Sequence, residues 1–387
     1  MSGFKSQFTE QICSVTQEEW NGLVGIEYPF LRYEFLVALE ESGSVSAETG
    51  WQPQHLIIRD QASQLVAVLP CYEKDHSYGE YVFDWSWANA YYQHGMNYYP
   101  KLLSAVPFTP AVGPRLVIDP EQDVDLLRHC AVQAVTDFCQ RQRYSSWHLL
   151  FPQSVLKEGL DAISGEHSLM CRTGSQFHWY NRGYECFADY IGAMTSRKRK
   201  SVRKEREKVV EQGITFLHCS GQEITPELLD DFYLYYHATY MKRGQQGYLN
   251  RGFFELLLQT MPESLLFVFA QLDGRNIAVA FFLKGGGTLY GRYWGCLEEY
   301  KHLHFETCYY QGIDHCIDHN LAHFDAGAQG EHKIQRGFEP IPTYSYHWIA
   351  HPGFRDAIND YVALESQDVL AYIDDAATYL PFKQQAG

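Results

Sequence analysis

LLFVFAQLDGRNIAVAFFLKGGG, Leu265 to Gly287, followed directly by TLYGRYWGC, Thr288 to Cys296, is three β-rich runs set apart by two turns. Asp273-Gly274 is the sharper turn signal, because a two-residue hairpin needs positive φ at both central positions and these residue types tolerate it. The segment reads as an antiparallel meander. About 210 residues earlier the chain does the same again. HLIIRDQASQLVAVLPCYEK (His55 to Lys74) gives two β-rich runs around a polar turn, and EYVFDWSW (Glu80 to Trp87) reads as the third strand.

The surroundings repeat as well. Asp125 to Arg143 carries Leu126, Leu127, Cys130, Ala134 and Phe138 on one helical face, and the strand SWHLLF follows at Ser146 to Phe151. In the second half a helix over Phe305 to His319 precedes the strand AHFDAGA at Ala322 to Ala328. Upstream of the later meander, Thr225-Pro226 reads as N-cap and first residue of a helix bearing Leu228, Leu229, Phe232, Tyr236 and Tyr240, and a second helix ends near Pro262. Tyr91 to Asp119 has no counterpart and reads as a long loop. Helix, helix, antiparallel meander, helix, strand is the order of a GNAT-type acyltransferase domain. Its recurrence predicts a mixed α/β fold of two tandem GNAT-like domains, 1–195 and 214–387, joined by a helix over 196–213.

The chain of 387 residues, 45% apolar and 15% aromatic, has enough to bury for two or three folded domains. No apolar run approaches the roughly eighteen residues of a bilayer span, and MSGFKSQFTEQ lacks a signal-peptide layout, so a cytoplasmic location without membrane insertion is expected. The ten cysteines never form C-x-x-C and read as reduced, mostly buried thiols. A net charge of −16 opposes nucleic-acid or anionic-membrane binding by the whole surface.

One segment reverses that charge. SRKRKSVRKEREK, Ser196 to Lys208, holds eight basic and two acidic residues, so it carries +6 and leaves −22 on the rest. Ser196 as N-cap, Gly213 as terminator and a seam of Val202, Val209 and Val210 predict a single helix. Arg199 with Arg203, and Lys200 with Lys204 and Lys208, are like charges at i, i+4, which calls for an acidic counterpart. That counterpart is either the chain's own acidic surface or a phosphorylated ligand gripped by Arg199, Arg203 and Lys204; a nuclear-localisation signal is a third reading.

Proton-handling residues crowd the second half: Arg292, Tyr293 and Trp294, then KHLHFETCYYQG (Lys301 to Gly312) and GAQGEHKIQRGFEP (Gly327 to Pro340). The first half shows no such density, so the working site is expected between the strands Tyr290 to Cys296 and Ala322 to Ala328. Acyl transfer to an amine needs a base for the attacking nitrogen, a polarised carbonyl and an acid for the leaving group. Glu331, after a Gly-rich turn, is the candidate base. His332 or His304 orients it and Tyr293 is the candidate acid, while Glu306 and His302 at the helix start are alternatives that also suit the helix macrodipole or packing. Lys333 and Arg336 are candidates for donor phosphate or carboxylate, or form an exposed basic loop.

His315 and His319 at i, i+4, with Asp314, Cys316 and Asp318 between and His323 beyond, have zinc-like spacing. H-x-x-x-H is not H-E-x-x-H, however, and Asn320 ends the helix and moves His323 to another element, so no metal is expected there. No G-x-S-x-G elbow, P-loop or G-x-G-x-x-G fingerprint is present.

SRKRKSVRKEREKVVEQGI, GRYWGC, LHFETCYYQGI, GAQGEHKIQRGFEP and TYSYHW together resemble the FemAB-like group of acyltransferase-fold proteins, most densely from Phe177 onward. The resemblance implies tandem GNAT-like domains and a role in peptidoglycan biosynthesis or recognition, with a cell-wall precursor or small molecule as amine acceptor. It also implies aminoacyl-tRNA as donor in the Fem manner, or acyl-CoA in the ordinary GNAT manner, and no tightly bound cofactor. The alternative is a non-catalytic binding module for a phosphorylated metabolite, a cell-wall fragment or tRNA. The pattern departs from ordinary GNAT enzymes in having no [Q/R]-x-x-G-x-[G/A] pyrophosphate loop before the helix at Phe305.

Overall fold

The computed structural model describes residues 3–242 and 244–383; the outermost positions of the expected domain ranges lie outside the described residues. The chain forms two compact units, Met1–Ser175 with Pro342–Tyr372, and Gln176–Ile341 with Ile373–Gly387. These are cut at different places from the expected 1–195, 196–213 and 214–387. Strand pairing is the reason, since each unit takes its last strand from a segment that continues into the other unit's sequence. Among the described residues no helix is long and apolar enough to cross a membrane.

In unit 1, β1 (Lys5–Thr9) precedes the helices α1 (Gln17–Val24) and α2 (Tyr33–Glu41). Then come β2 (Trp51–Pro53), β3 (His55–Arg59), β4 (Leu65–Leu69) and β5 (Tyr72–Lys74). Helix α3 (Trp85–Gln93), β6 (Lys101–Ser104), β7 (Val117–Ile118), α4 (Val124–Gln142), β8 (Ser146–Leu150) and α5 (Ser154–His167) follow, and β9 (Met170–Tyr180) carries the chain out. One sheet has the order β1-β3-β4-β7. In a second, β2, β5 and β6 pair antiparallel, and β6 then runs parallel to β8.

Two sequence expectations fail here. Glu80 to Trp87 is not a strand: Asp84 precedes a helix whose Trp87 and Tyr91, at i, i+4, are both buried. Aromatic residues favour strands only where a sheet can receive them, and here tertiary burial selects the helix. The segment Tyr91 to Asp119 is also not all loop, because it supplies β6 and β7: the strand that follows β4 in its sheet is β7 (Val117–Ile118), while β6 pairs with β5 and β8 in the other sheet.

Unit 2 starts with the end of β9, then α6 (Phe187–Gly192), α7 (Ser196–Glu211), β10 (Thr215–Ser220), α8 (Pro226–Met241) and α9 (Arg251–Thr260). The meander is β11 (Leu265–Leu272), β12 (Arg275–Gly285) and β13 (Thr288–Cys296). Asp273 and Gly274 both have positive φ, as the hairpin requires. A short helix α10 (Leu303–Phe305) runs through a π turn (Glu306–Tyr310) into α11 (Gln311–Asp318), and β14 (His323–Asp325) follows. The chain then returns to unit 1, which takes β15 (Glu339–Ile349) from Pro342 onward, paired antiparallel with β8 over Ser345–Ile349, and α12 (Pro352–Ala377) as far as Tyr372.

The β10-β11-β12-β13 ladder is antiparallel, β13 runs parallel to β14, and β14 pairs antiparallel with β9. Thr225 caps α8 through the Leu228 amide with Pro226 in its first turn, as the sequence indicates. One sheet face packs Phe267, Phe281 and Tyr293 against Phe232 and Tyr236 of α8 and Phe254 of α9. The other packs Ala270, Ala278 and Trp294 against Val209 of α7 and Leu303.

Helix α7 belongs to unit 2. Thr195 occupies its N-cap position without a side-chain bond, and Gly213 beyond its end has φ +79°. The apolar seam is Val202 and Val209, seven apart, while Val210 is exposed. Cys71, Cys139, Cys219 and Cys316 are buried thiols, but Cys13 and Cys186 are exposed.

Candidate functional site

The parallel pairing of β13 with β14 lasts for three residue pairs, Thr288↔His323 to Tyr290↔Asp325. Immediately beyond it Arg292 is an extra residue in β13, since Phe282 faces Gly291 while Phe281 faces Tyr293. A bulge of this kind bends its strand and ends regular pairing. Past Asp325 the chain turns through Gly327 into a 3-10 helix, Glu331–Arg336, so β13 and that helix flank the point where the pair opens. This is the region expected from the sequence.

The 3-10 helix is fixed from below. The Lys333 side chain is buried and donates to the Gly327 carbonyl at 2.6 Å. Burial lowers its ammonium pKa to about 8, with Asp325 opposing the shift and Arg292 adding to it. Arg336 is also buried, and donates to Glu205 at 2.8 Å and to the His332 carbonyl at 2.8 Å. Its guanidinium lies 3.4 Å from the Phe305 ring centroid. Neither residue forms the exposed basic loop that is the alternative for this pair.

Above this base stand Glu331 and His332, both exposed. The His332 Nε2 is 2.8 Å from the Tyr309 hydroxyl in the π turn. Its ring lies 6.0 Å from His304 and 5.5 Å from Phe305. Burial, then the positive field of Arg336 and Lys333, lowers the His332 pKa, and burial takes His304 down to about 4. Both imidazoles are therefore neutral near pH 7, the form that accepts a proton. His304 in turn packs on Trp294 of β13 at 5.4 Å.

Tyr293 is not part of this group. Strand alternation sends it to the face covered by α8 and α9, where its ring is 5.0 Å from Tyr236 and 6.1 Å from Phe281. The tyrosine that meets His332 is Tyr309, whose own pKa burial pushes upward. Glu306 is buried in a different direction, paired with Arg206 at 2.9 Å, and burial raises its pKa.

The basic helix is divided by its own periodicity. Glu205 and Arg206 face inward, Glu205 toward Arg336 and the Tyr310 hydroxyl, Arg206 toward Glu306 and Asp314. Arg203 and Lys204 are exposed, as are Arg197 and Lys200, while Arg199 is half-buried beside Ser196. The acidic counterpart expected from the sequence is thus met in part by the chain itself, and a cationic row remains outside.

Sequence reasoning missed a neighbouring buried group. His178 of β9 and His323 of β14 are 2.8 Å apart, and His323 lies 3.3 Å from the Thr288 hydroxyl. The His178 Nε2 is 3.7 Å from an Asp325 oxygen that also accepts the Gly327 amide at 2.8 Å. Antiparallel pairing of β14 with β9 joins these residues across 145 positions of sequence, and no local spacing announces it.

Unit 1 holds a second constellation, against the expectation that the first half lacks one. The Lys101 ammonium, fully buried, donates to Ser77 at 2.8 Å, Glu80 at 2.8 Å and Asp84 at 2.5 Å. Tyr98 donates to Asp84 at 2.7 Å and meets His148, which faces His347 across the β8–β15 ladder. Burial raises Glu80 to about 7 and lowers His148 to about 3. Glu80 Oε1, Asp84 Oδ1, Trp87 Nε1 and the Tyr91 hydroxyl are buried without a protein hydrogen-bond partner.

No curated protein matches the chain. Among solved structures it is similar to FemX, at TM-score 0.54 and 10% identity over 89% of this chain and 98% of that one. It is similar to a C-terminal domain (DUF2156) assigned to lysylphosphatidylglycerol synthetase in Agrobacterium fabrum, at TM-score 0.53 and 10% identity, covering 91% and 96%. A conserved protein of unknown function from Bacteroides thetaiotaomicron matches at TM-score 0.51 and 10% identity, covering 88% and 98%. At these identities the likeness is one of fold, a mixed α/β architecture shared over most of each chain. The family match, described as peptidoglycan biosynthesis/recognition, extends over residues 11–384, and the chain belongs to the FemAB-like family.

Proposed function

We propose that this chain is an N-acyltransferase of the aminoacyl-transferring kind, working at the opening between β13 and β14 on an amine acceptor such as a cell-wall precursor. The observation that carries the reading is the exposed, neutral His332, bonded to Tyr309 and backed by His304, on a 3-10 helix anchored by buried Lys333 and Arg336. With Nε2–H donated to the Tyr309 oxygen, His332 Nδ1 keeps its lone pair for the proton of an attacking amine. As the new amide C–N bond forms, the donor's ester or thioester bond breaks, and the proton passes through His332 to the leaving oxygen or sulfur. Glu331, beside it on the surface, suits the acceptor's ammonium group. Lys333 and Arg336 then support the helix and its field, a change from the direct phosphate contact the sequence suggests.

For the donor, the exposed Arg203, Lys204, Arg197 and Lys200 favour a polyphosphate chain such as tRNA. The segment entering α10 holds Glu298 and Glu299, which repel the pyrophosphate of CoA from that helix start. Family membership and the likeness to FemX support the same class of reaction.

The test is transfer by the purified chain from charged tRNA or acyl-CoA to a panel of amines. His332→Gln should cut turnover by about 10²–10⁴-fold with the fold intact, the range that loss of a general base produces. Full activity in both His332→Gln and Glu331→Gln would remove the assignment.

A further inference from the structure

Helices α4 and α5 of unit 1 bring together three side chains that take no part in the site above. His129 Nδ1 lies 3.0 Å from His167 Nε2 and 3.7 Å from a Glu166 carboxylate oxygen. Among the described residues this is the one group of three histidine, cysteine or acidic side chains whose ligand atoms all fall within 4.8 Å of one another. The zinc-like spacing of His315 and His319, from which no metal is expected, stays unused in the structure too, since the His319 Nδ1 is spent on the His315 carbonyl at 3.0 Å and His323 is joined to His178. We propose that His129, Glu166 and His167 form a binding site for one divalent transition-metal ion, of the zinc or nickel type, open on one side to the cleft they line.

The geometry suits such an ion. With metal–nitrogen bonds of about 2.0–2.1 Å, a 3.0 Å separation of two imidazole nitrogens subtends about 94° at the metal; the 3.7 Å nitrogen–oxygen separation subtends about 126°. These values lie on either side of the tetrahedral angle. Glu166 is exposed, so it can swing to close the third side without moving the backbone. Two neutral imidazoles and a carboxylate are the ligand types borderline metals prefer, whereas calcium and magnesium ask for oxygen alone. No proton need be lost. At present one imidazole N–H donates to the other's lone pair, and a change of tautomer on the donating ring turns both lone pairs toward the ion.

Two further features favour a cation here. His167 is the last residue of the fourteen-residue helix α5, where the unpaired carbonyls give a negative helix end. The three ligands also line a cleft of about 660 Å³ together with Ser6, Phe8, Gln133, Asp137 and Arg141, so the coordination positions not filled by protein face a space large enough for water or a small molecule. His129 comes from the first half of α4 and the other two ligands from the end of α5, so a bound ion ties these helices together.

The test is equilibrium dialysis of the chelator-treated full-length chain against micromolar ZnCl₂ and, separately, NiCl₂, together with thermal unfolding. One ion per chain and a higher melting temperature are expected, because an ion that binds only the folded state stabilises it. Glu166→Gln, an exposed change that leaves the fold intact, should weaken binding at least about tenfold, and the pair His129→Gln with His167→Gln should abolish it. His319→Gln should leave it unchanged. No bound ion, or one ion held equally by the wild type and the double variant, overturns the site; loss through His319→Gln moves it to α11 and overturns it as well.

Discussion

His304 shows how one half-buried side chain sets a pH limit. Burial holds its pKa near 4, against an ordinary value of 6.5. Between those pH values the unfolded chain takes up a proton that the folded chain refuses, so this residue's contribution to stability is present above pH 6.5 and falls as pH drops toward 4. His304→Phe keeps the packing on Trp294 and removes the titration. Urea midpoints measured from pH 7 to pH 4 should decline less steeply in the variant than in the wild type, and parallel declines would contradict the placement. The neighbouring His332 was legible in sequence as a candidate because it follows a Gly-rich turn. Its partner Tyr309 was not, since the choice of Tyr309 over Tyr293 depends on strand alternation turning Tyr293 toward α8 and on the π turn bringing Tyr309 to His332.

At the scale of elements, two contacts hold the opening in shape. Helix α8 crosses β13 so closely at Gly295 that a Cβ there would lie 2.1 Å from the Tyr235 carbonyl oxygen. Gly295→Ala therefore forces helix and strand apart and should cost about 1–3 kcal/mol in chemical denaturation; an unchanged midpoint would mean the two do not pack this way. Helix α7 shows both of its faces to experiment. Arg206 compensates Glu306 and Asp314, so Arg206→Ala leaves Glu306 buried without its partner and should destabilise by roughly 2–3 kcal/mol, somewhat below a fully buried pair because the arginine is a quarter exposed. Arg203→Glu with Lys204→Glu should leave stability near the wild type and weaken tRNA binding, flattening its salt dependence. Destabilisation by that pair in place of Arg206→Ala would reverse the assignment of faces.

Asp273-Gly274, the Thr225 cap and the runs of α4 and α8 were readable in the sequence because turn chemistry, capping and helical period are local signals. Helix α3 was not, because Glu80 to Trp87 reads as a strand and the chain from Tyr91 as a loop until Trp87 and Tyr91 find a place in the core of unit 1. The π turn at Glu306–Tyr310 likewise has no spacing of its own, and arises where Tyr309 and Tyr310 must face His332 and Glu205.

Across the whole molecule the same plan is written twice, with different contents. Each unit has a parallel strand pair beside an antiparallel strand supplied from the far side of the sequence, β6 and β8 with β15, and β13 and β14 with β9. Each also joins a histidine pair at that junction, the buried His148 with His347 and the buried His178 with the half-buried His323. The fold class could be read from the repeat, although unit 1 departs from the repeated order at α3, β6 and β7. The histidine pairs and the unit boundaries could not, because they depend on strands paired over more than a hundred residues. Among the described residues unit 2 alone places an exposed imidazole, His332, beyond the point where its parallel pair opens, and the proposed chemistry stands on that difference. The most direct measurement follows an isotope-labelled aminoacyl group from charged tRNA by mass spectrometry, with an amine-bearing muropeptide as acceptor. The account predicts the label in a new amide on the muropeptide with the wild-type chain and its near-complete absence with His332→Gln; a donor that is bound but never transferred, or equal transfer by both chains, would contradict it.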